Sequence, residues 1–179
     1  MGLLDRMLRG RVDRLVAESL AEQMEKEQFE ALYRYRVHSD PARLHIHPTA
    51  VVNNALFNTG GGTITVGEYV FFGHYVAVLA GGHDVEKFGR ERQLAIPRTG
   101  HDIVIGDGVW LASHVLVLGP CTIGEHAVVA GGSLVRHDVE PYTVVAGRPA
   151  TVIRRLTPPS GAGQAPSAQA PSAAEQPAP

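Results

Sequence analysis

A six-residue spacing of apolar side chains predicts an all-β chain wound as a parallel β-helix of about five coils, preceded by an α-helix and followed by a disordered tail. Three observations carry this. Ile105, Leu111, Val117, Ile123, Val129 and Val135 recur at every sixth position, each with Ile103, Val109, Val115, Cys121, Ala127 or Ser133 two places earlier. Residues 1–37 contain no proline and set an apolar side chain at every fourth position from Leu4 to Met24. Residues 157–179 are built only from Thr, Pro, Ser, Gly, Ala, Gln and one Glu.

At the N-terminus, Leu4, Leu8, Val12, Val16, Leu20 and Met24 lay a slowly rotating apolar stripe along a helix. Such a stripe suits packing on the chain's own domain or on another subunit. Arg6, Arg9, Arg11 and Arg14 precede a glutamate-rich second half, which also suits a basic end lying on an anionic membrane surface. The β-helical domain follows over 38–156. A period of six fits neither a helical face nor a long alternating strand, but it fits a short strand plus a corner, used three times per coil. Val66, Phe72 and Val78 keep the same spacing, and Leu44/Ile46, Ala50/Val52 and Leu56 continue it more weakly towards the N-terminus. Five coils at about 4.8 Å per stacked strand make a prism roughly 25 Å tall. The tail, 157–179, cannot bury enough apolar area to offset chain entropy and is expected to be disordered.

Composition narrows the function. Sixteen Lys+Arg against eighteen Asp+Glu leave a net charge of −2, with no basic field for nucleic acid. Hydrophobic residues make up 44% and aromatics 6%, so the core is aliphatic. The lone cysteine, Cys121, excludes a disulfide framework and any multi-cysteine zinc site, and it falls on an inward position of the repeat. Asp5 and Arg6 stand where a signal peptide needs apolar residues, position 6 does not fit a myristoylation signal, and no apolar run reaches transmembrane length. The expectation is a soluble, cytoplasmic protein.

The frame breaks once. From Val78 to Ile105 is 27 residues, four hexapeptides and three over, so 85–102 is expected as an extruded loop. Just before it stands Ala80-Gly81-Gly82-His83-Asp84, two glycines clearing space beside an imidazole. Loops interrupting a rigid coil commonly carry function. A generic surface histidine is the plain alternative for His83. Asp84 either orients the imidazole or forms a turn. The loop cations Lys87, Arg90, Arg92 and Arg98 read most simply as a solvated face; arginines beside an active histidine, Arg90 and Arg92 foremost, could also clamp a phosphate.

The anchor pattern, AGGHD, and the closing run IGDGVWLASHVLVLGPCTIGEHAVVAGGSLVRHDVEPYTVVAGRPATVIRR resemble the hexapeptide-repeat acyltransferases, in particular their sugar O-acetyltransferase branch of maltose/galactoside and polysaccharide-biosynthesis types. The resemblance covers about 44–155. It implies a left-handed parallel β-helix, against the right-handed rule for parallel crossovers, a homotrimer with sites between adjacent prisms, and acetyl-CoA as donor. It matches His83 to the catalytic histidine, Trp110 and Ser113 to positions lining the pantetheine arm, and Gly131, Arg136 and Arg154 to positions contacting the rest of CoA. Asn53, Asn54 or Asn58 is the counterpart of the acceptor-facing asparagine. The galactoside type usually follows its histidine with proline, where this chain has Asp84, and carries an N-terminal acceptor-binding region absent here. A simple glycoside is thus not the expected acceptor; a phosphate clamp by the loop arginines would favour a nucleotide-linked or lipid-linked sugar.

The chemistry so implied is direct acetyl transfer to a sugar hydroxyl, His83 serving as general base and no metal being required. An amino-sugar N-acetyltransferase would use the same histidine. Two other readings come from different chemistry. One is a zinc hydratase resembling γ-carbonic anhydrase, suggested by the chain's nine histidines but lacking the ligand spacing of that group. The other is a non-catalytic trimeric scaffold.

Overall fold

Three-residue strands that alternate inward and outward side chains build a three-sided coil in the computed structural model, which describes residues 3–158. The first face stacks Arg36–His38, Leu56–Asn58, Ala77–Leu79, Leu116–Leu118 and Leu134–Val135. The second stacks Leu44–Ile46, Ile64–Val66, Ile103–Ile105 and Cys121–Ile123. The third carries Phe71–Phe72, Trp110–Leu111, Val128–Val129 and Thr143–Gly147, closed by the antiparallel strand Ala150–Arg155. All other pairings are parallel, and the expected five coils are present on the first face.

The repeat anchors stack on one another. Phe57, Val78, Val117 and Val135 form one inward column, Val66, Ile105 and Ile123 a second, and Phe72, Leu111, Val129 and Val145 a third. Every one of these side chains is buried. At about 1.5–3 kcal/mol for each fully buried aliphatic side chain, these columns are the main source of stability. Buried Ser133 and Thr143 are satisfied: Ser133 Oγ accepts from Gly147 N at 3.2 Å, and Thr143 Oγ1 donates to the Glu140 carbonyl at 2.7 Å.

Three expectations need correction. The coil starts at Arg36, so a boundary after residue 37 cuts its first strand. In the weak N-terminal stretch Phe57, not Leu56, is the inward residue, because the step from Val52 is five residues rather than six. Strand side chains alternate, so this one-residue slip turns Asn58 outward. The extruded loop is not wholly irregular: it holds a six-residue helix, α2, over Gly89–Leu94.

The N-terminal helix, α1 (Leu3–Ala31), leaves its apolar stripe exposed along the residues whose side chains are described. Val12, Val16, Leu20 and Met24 are 52–59% exposed. Steps of four residues overshoot a helical turn by about 40° each, so the stripe swings roughly 200° from Leu4 to Met24 and no single face collects it. Only its end is tied down, through Phe29 against Tyr33 and Tyr33 edge-on to His74 at 6.0 Å. The tail from 159 onward lies outside the described residues, and with it most of the expected disorder. No described helix is long and apolar enough to cross a membrane.

Candidate active site

A helix of six residues cannot satisfy its own last carbonyls, which must find donors elsewhere. In α2, the Glu91 carbonyl takes Ala95 N at 2.8 Å and the Leu94 carbonyl takes Ile96 N at 3.1 Å. The Arg92 carbonyl takes Nδ1 of His83 at 3.0 Å. A carbonyl can only accept, so Nδ1 carries the proton and Nε2 is left with its lone pair. The loop thereby sets both the tautomer and the ring orientation of His83, which lies exposed at the end of the first face.

The loop holds itself together to do this. Arg92 Nε donates to the Lys87 carbonyl at 2.5 Å, its Nη2 to the Val85 carbonyl at 3.1 Å, and its guanidinium sits 5.0 Å over the Phe88 ring. The guanidinium expected to bind substrate is thus spent inside the loop. Asp84 does not hold the imidazole either: its Oδ1 accepts from Glu86 N at 3.0 Å and opens the loop's first turn. Lys87 is paired with Glu91 at 2.9 Å.

Beside His83 is a cleft of about 190 Å³ lined by Asn58, His38, Ser39, Ile96 and Arg98, with Gly60, Gly81 and Gly82 as its floor and rim. Register explains the gathering, since His38, Asn58 and Leu79 stack as one outward column on the first face. Asn58 Oδ1 accepts from Gly60 N at 2.9 Å, while its Nδ2 has no protein partner among the described residues. A Cβ at Gly81 would lie 3.0 Å from that oxygen; Gly82 has nothing within 4 Å and borders open space. Gly61 has room for no side chain, because the returning loop puts the Pro97 carbonyl 2.9 Å from where its Cβ would be. That close approach is what delivers Ile96 and Arg98 to the cleft.

The other candidates lie elsewhere on the same prism. Asn53 and Asn54 are corner residues: Asn53 has φ 44° and donates to the Phe72 carbonyl at 2.6 Å, and buried Asn54 accepts from Tyr75 N at 2.8 Å. Trp110 points outward on the third face, stacked on Phe71 at 5.5 Å. Arg154 closes the same outward column, three strands away through Val128 and Val144. Ser113 and Gly131 are exposed at the corner between the third and first faces. There Ser113 Oγ accepts from His74 N at 3.1 Å, its carbonyl takes Gly132 N at 3.0 Å, and Gly131 sits one coil on. Arg136 is exposed just past the Leu134–Val135 strand. One face of the prism, at most roughly 20 Å at about 3.3 Å per residue, separates the Ser113 corner from His83. The sequence missed His38, Ser39 and Ile96 as lining residues and left Arg98 among undistinguished loop cations; the pairing register, not residue type, was the signal.

Cys121 is 5% exposed, and burial, with Asp138 nearby, pushes its thiol up to about 11. It is a core side chain without a thiolate to offer. Among the described residues no three His, Cys, Asp or Glu side chains converge as a metal site.

A three-sided parallel coil interrupted at a histidine-bearing loop defines a class that comparison identifies. Residues 102–137 match the bacterial transferase hexapeptide family (six repeats). The coil has the left-handed parallel β-helix fold of solved hexapeptide-repeat acetyltransferases. Galactoside O-acetyltransferase of Escherichia coli is 32% identical over 117 residues, covering 64% of this chain and 55% of that enzyme. A solved galactoside acetyltransferase in complex with coenzyme A superposes with a TM-score of 0.53 at 26% identity, covering 71% of this chain and 63% of that one. A hexapeptide-repeat acetyltransferase of Vibrio cholerae complexed with acetyl-coenzyme A gives 0.50 at 28% identity, over 69% and 70% of the two chains. The chain spans little more than half the length of the first curated relatives it matches, at 58% and 55%.

Proposed function

We propose that this chain is an acetyl-CoA-dependent O-acetyltransferase that acylates a hydroxyl of a sugar or saccharide intermediate by direct transfer, with His83 as general base. The observation that carries the reading is the Nδ1 hydrogen bond to the Arg92 carbonyl, which reserves Nε2 for a substrate proton. Acetyl-CoA, when bound, supplies the acetyl group on a thioester. His83 Nε2 takes the proton of the acceptor hydroxyl as its oxygen bonds to the acyl carbon. The carbon–sulfur bond then breaks, and the imidazolium returns the proton to the departing thiolate. General-base assistance of this kind contributes about 10²–10⁴-fold. Asn58 Nδ2, without a protein partner among the described residues, would orient the acceptor.

The open corner of Ser113 and Gly131, with Trp110 beside it, fits an extended thioester arm: an added Cβ at Gly131 would meet the Ser113 carbonyl at 3.3 Å, so glycine keeps the corner smooth. That corner and His83 sit a prism face apart within one chain. A homotrimer, in which one prism's corner faces its neighbour's His83, would complete the site and supports an intermolecular arrangement.

The test is coenzyme A release from acetyl-CoA in the presence of neutral and anionic saccharides. His83→Ala is expected to keep the circular dichroism of the parent and lose at least about 100-fold in transfer rate. Undiminished transfer by that variant would discard the reading.

A further inference from the structure

Of the cations on the extruded loop, Arg90 and Arg98 have no ion pair or hydrogen bond among the described residues, and one of the two lines the cleft. Lys87 is bound to Glu91, and Arg92 to two carbonyls and the Phe88 ring. Arg90 lies on the exposed outer side of α2 and does not line the cleft. Arg98 alone lines the His83 cleft, and it has no ion pair or hydrogen bond among the described residues. Among the described residues no aspartate or glutamate lines that cleft; its other polar side chains are His38, Ser39, Asn58 and His83. Arg98 is exposed, and with no carboxylate lining this cleft of about 190 Å³ its guanidinium is open to an anion from solution.

The placement is built rather than incidental. The Gly61 backbone packs against the Pro97 carbonyl, His101 N donates to the Gly61 carbonyl at 3.1 Å, and Asp102 Oδ1 takes Thr63 N at 2.6 Å. These contacts clamp the returning arm of the loop to the coil on both sides of Arg98. The backbone that carries the guanidinium is therefore anchored to the coil on either side of Arg98.

We propose that Arg98 is the acceptor-specificity residue of this site, binding a carboxylate or phosphate carried by the saccharide while a hydroxyl of the same molecule faces His83. The assignment rests on the acetyl-transfer reading for the identity of that molecule, but not for the anion site itself. Arginine presents two parallel N–H donors matched to either oxyanion. Removing such a charged hydrogen bond corresponds to roughly a ten- to hundred-fold change in affinity. The sequence had suggested a phosphate clamp by Arg90 and Arg92; the structure moves that role by one arm of the loop.

The experiment separates the two readings. Binding of a hexuronate, a hexose phosphate and the matching neutral hexoside is measured calorimetrically with the full chain, without acetyl-CoA. Acetyl transfer to the same three compounds is measured beside it. The parent is expected to bind and acetylate at least one anionic sugar in preference to the neutral one, and the preferred anion identifies the group. Arg98→Gln should weaken anion binding about ten- to hundred-fold, raise the acceptor KM, leave the acetyl-CoA KM unchanged, and abolish the preference over the neutral sugar. Arg98→Lys should recover part of it.

Anion binding that depends on Arg98 without any transfer would retain the anion site and discard the transferase reading. Transfer that favours neutral sugars, or is indifferent to Arg98→Gln, would keep the transferase and overturn this proposal. Absence of anion binding by the parent would also overturn it. So would an Arg98→Gln effect confined to the acetyl-CoA KM, which would place the guanidinium on the coenzyme's phosphates.

Discussion

Nε2 of His83 is left free by the fate of the ring's other nitrogen. Nothing about the residue's identity separates it from the other histidines, several of which do structural work: His114 adopts φ 62° at a corner and stacks on Tyr75 at 5.3 Å, and His126 likewise stands at φ 55° against Tyr142. Only His83 donates to a helix-terminal carbonyl and opens onto a cleft. The two glycines before it differ in consequence, and this can be tested. A methyl group at Gly81 would press on Asn58 Oδ1 at 3.0 Å, displacing the amide that accepts from Gly60 N. Gly81→Ala is expected to lower kcat/KM for the acceptor about ten-fold while leaving Tm nearly unchanged, the price of moving one substrate-facing hydrogen bond by a few tenths of an ångström. Gly82→Ala meets open space and should stay within about two-fold of the parent in steady-state kinetics. Equal losses at both positions would mean that backbone freedom, not room for Asn58, is what the pair provides.

The strands and corners were legible because a six-residue period projects one residue class onto one direction, and every anchor from Ile64 to Val135 is buried as the period requires. Where a local step departs from six, the same reasoning fails by one residue, and the slip between Val52 and Phe57 is what put Asn58 on the outside. Neither α2 nor the hydrogen bond it offers His83 has a periodic signature, since a single helical turn in a charged loop is decided by what its terminal carbonyls find. The helix α1 was legible as a helix but not as an unpacked one, because a four-residue stripe seen in sequence does not reveal how far it rotates in space. The strand Cys121–Ile123 offers a pH test of core placement. Burial raises the Cys121 thiol from 9.0 to about 11, so the fold favours the protonated form. Its contribution is complete below pH 9 and is lost as pH rises through 11, a linkage worth roughly 3 kcal/mol for two pK units. Denaturant unfolding at pH 8 and pH 11 should show the parent losing that much more stability than Cys121→Ala, a difference in which the tyrosines and lysines cancel. Equal alkaline losses would place the thiol in contact with solvent.

At the scale of the whole molecule, the candidate residues divide between two corners of one prism, and a single chain does not bring them together. Asn58, His83 and Arg98 share the cleft beyond the first face, whereas Ser113 and Gly131 stand at the corner where that face begins. Adjacent prisms in a three-fold assembly can set one corner against the other, so each site would draw its base from one chain and its donor groove from the next. Complementation tests this directly. His83→Ala removes the proposed base; Gly131→Trp fills the exposed corner beside Ser113 without entering the core. Each variant alone is expected to be inactive and trimeric by sedimentation equilibrium. When the two are denatured, mixed in equal amounts and refolded together, random assembly makes about one interface in four of intact parts, one chain giving its His83 and the other its open corner. The mixture should therefore recover about a quarter of the parent's specific activity, rising with the fraction of mixed trimers. A mixture that stays inactive although mixed trimers form would place both halves of the site within one chain. The path between Ser113 and His83 would then have to run along a single prism face.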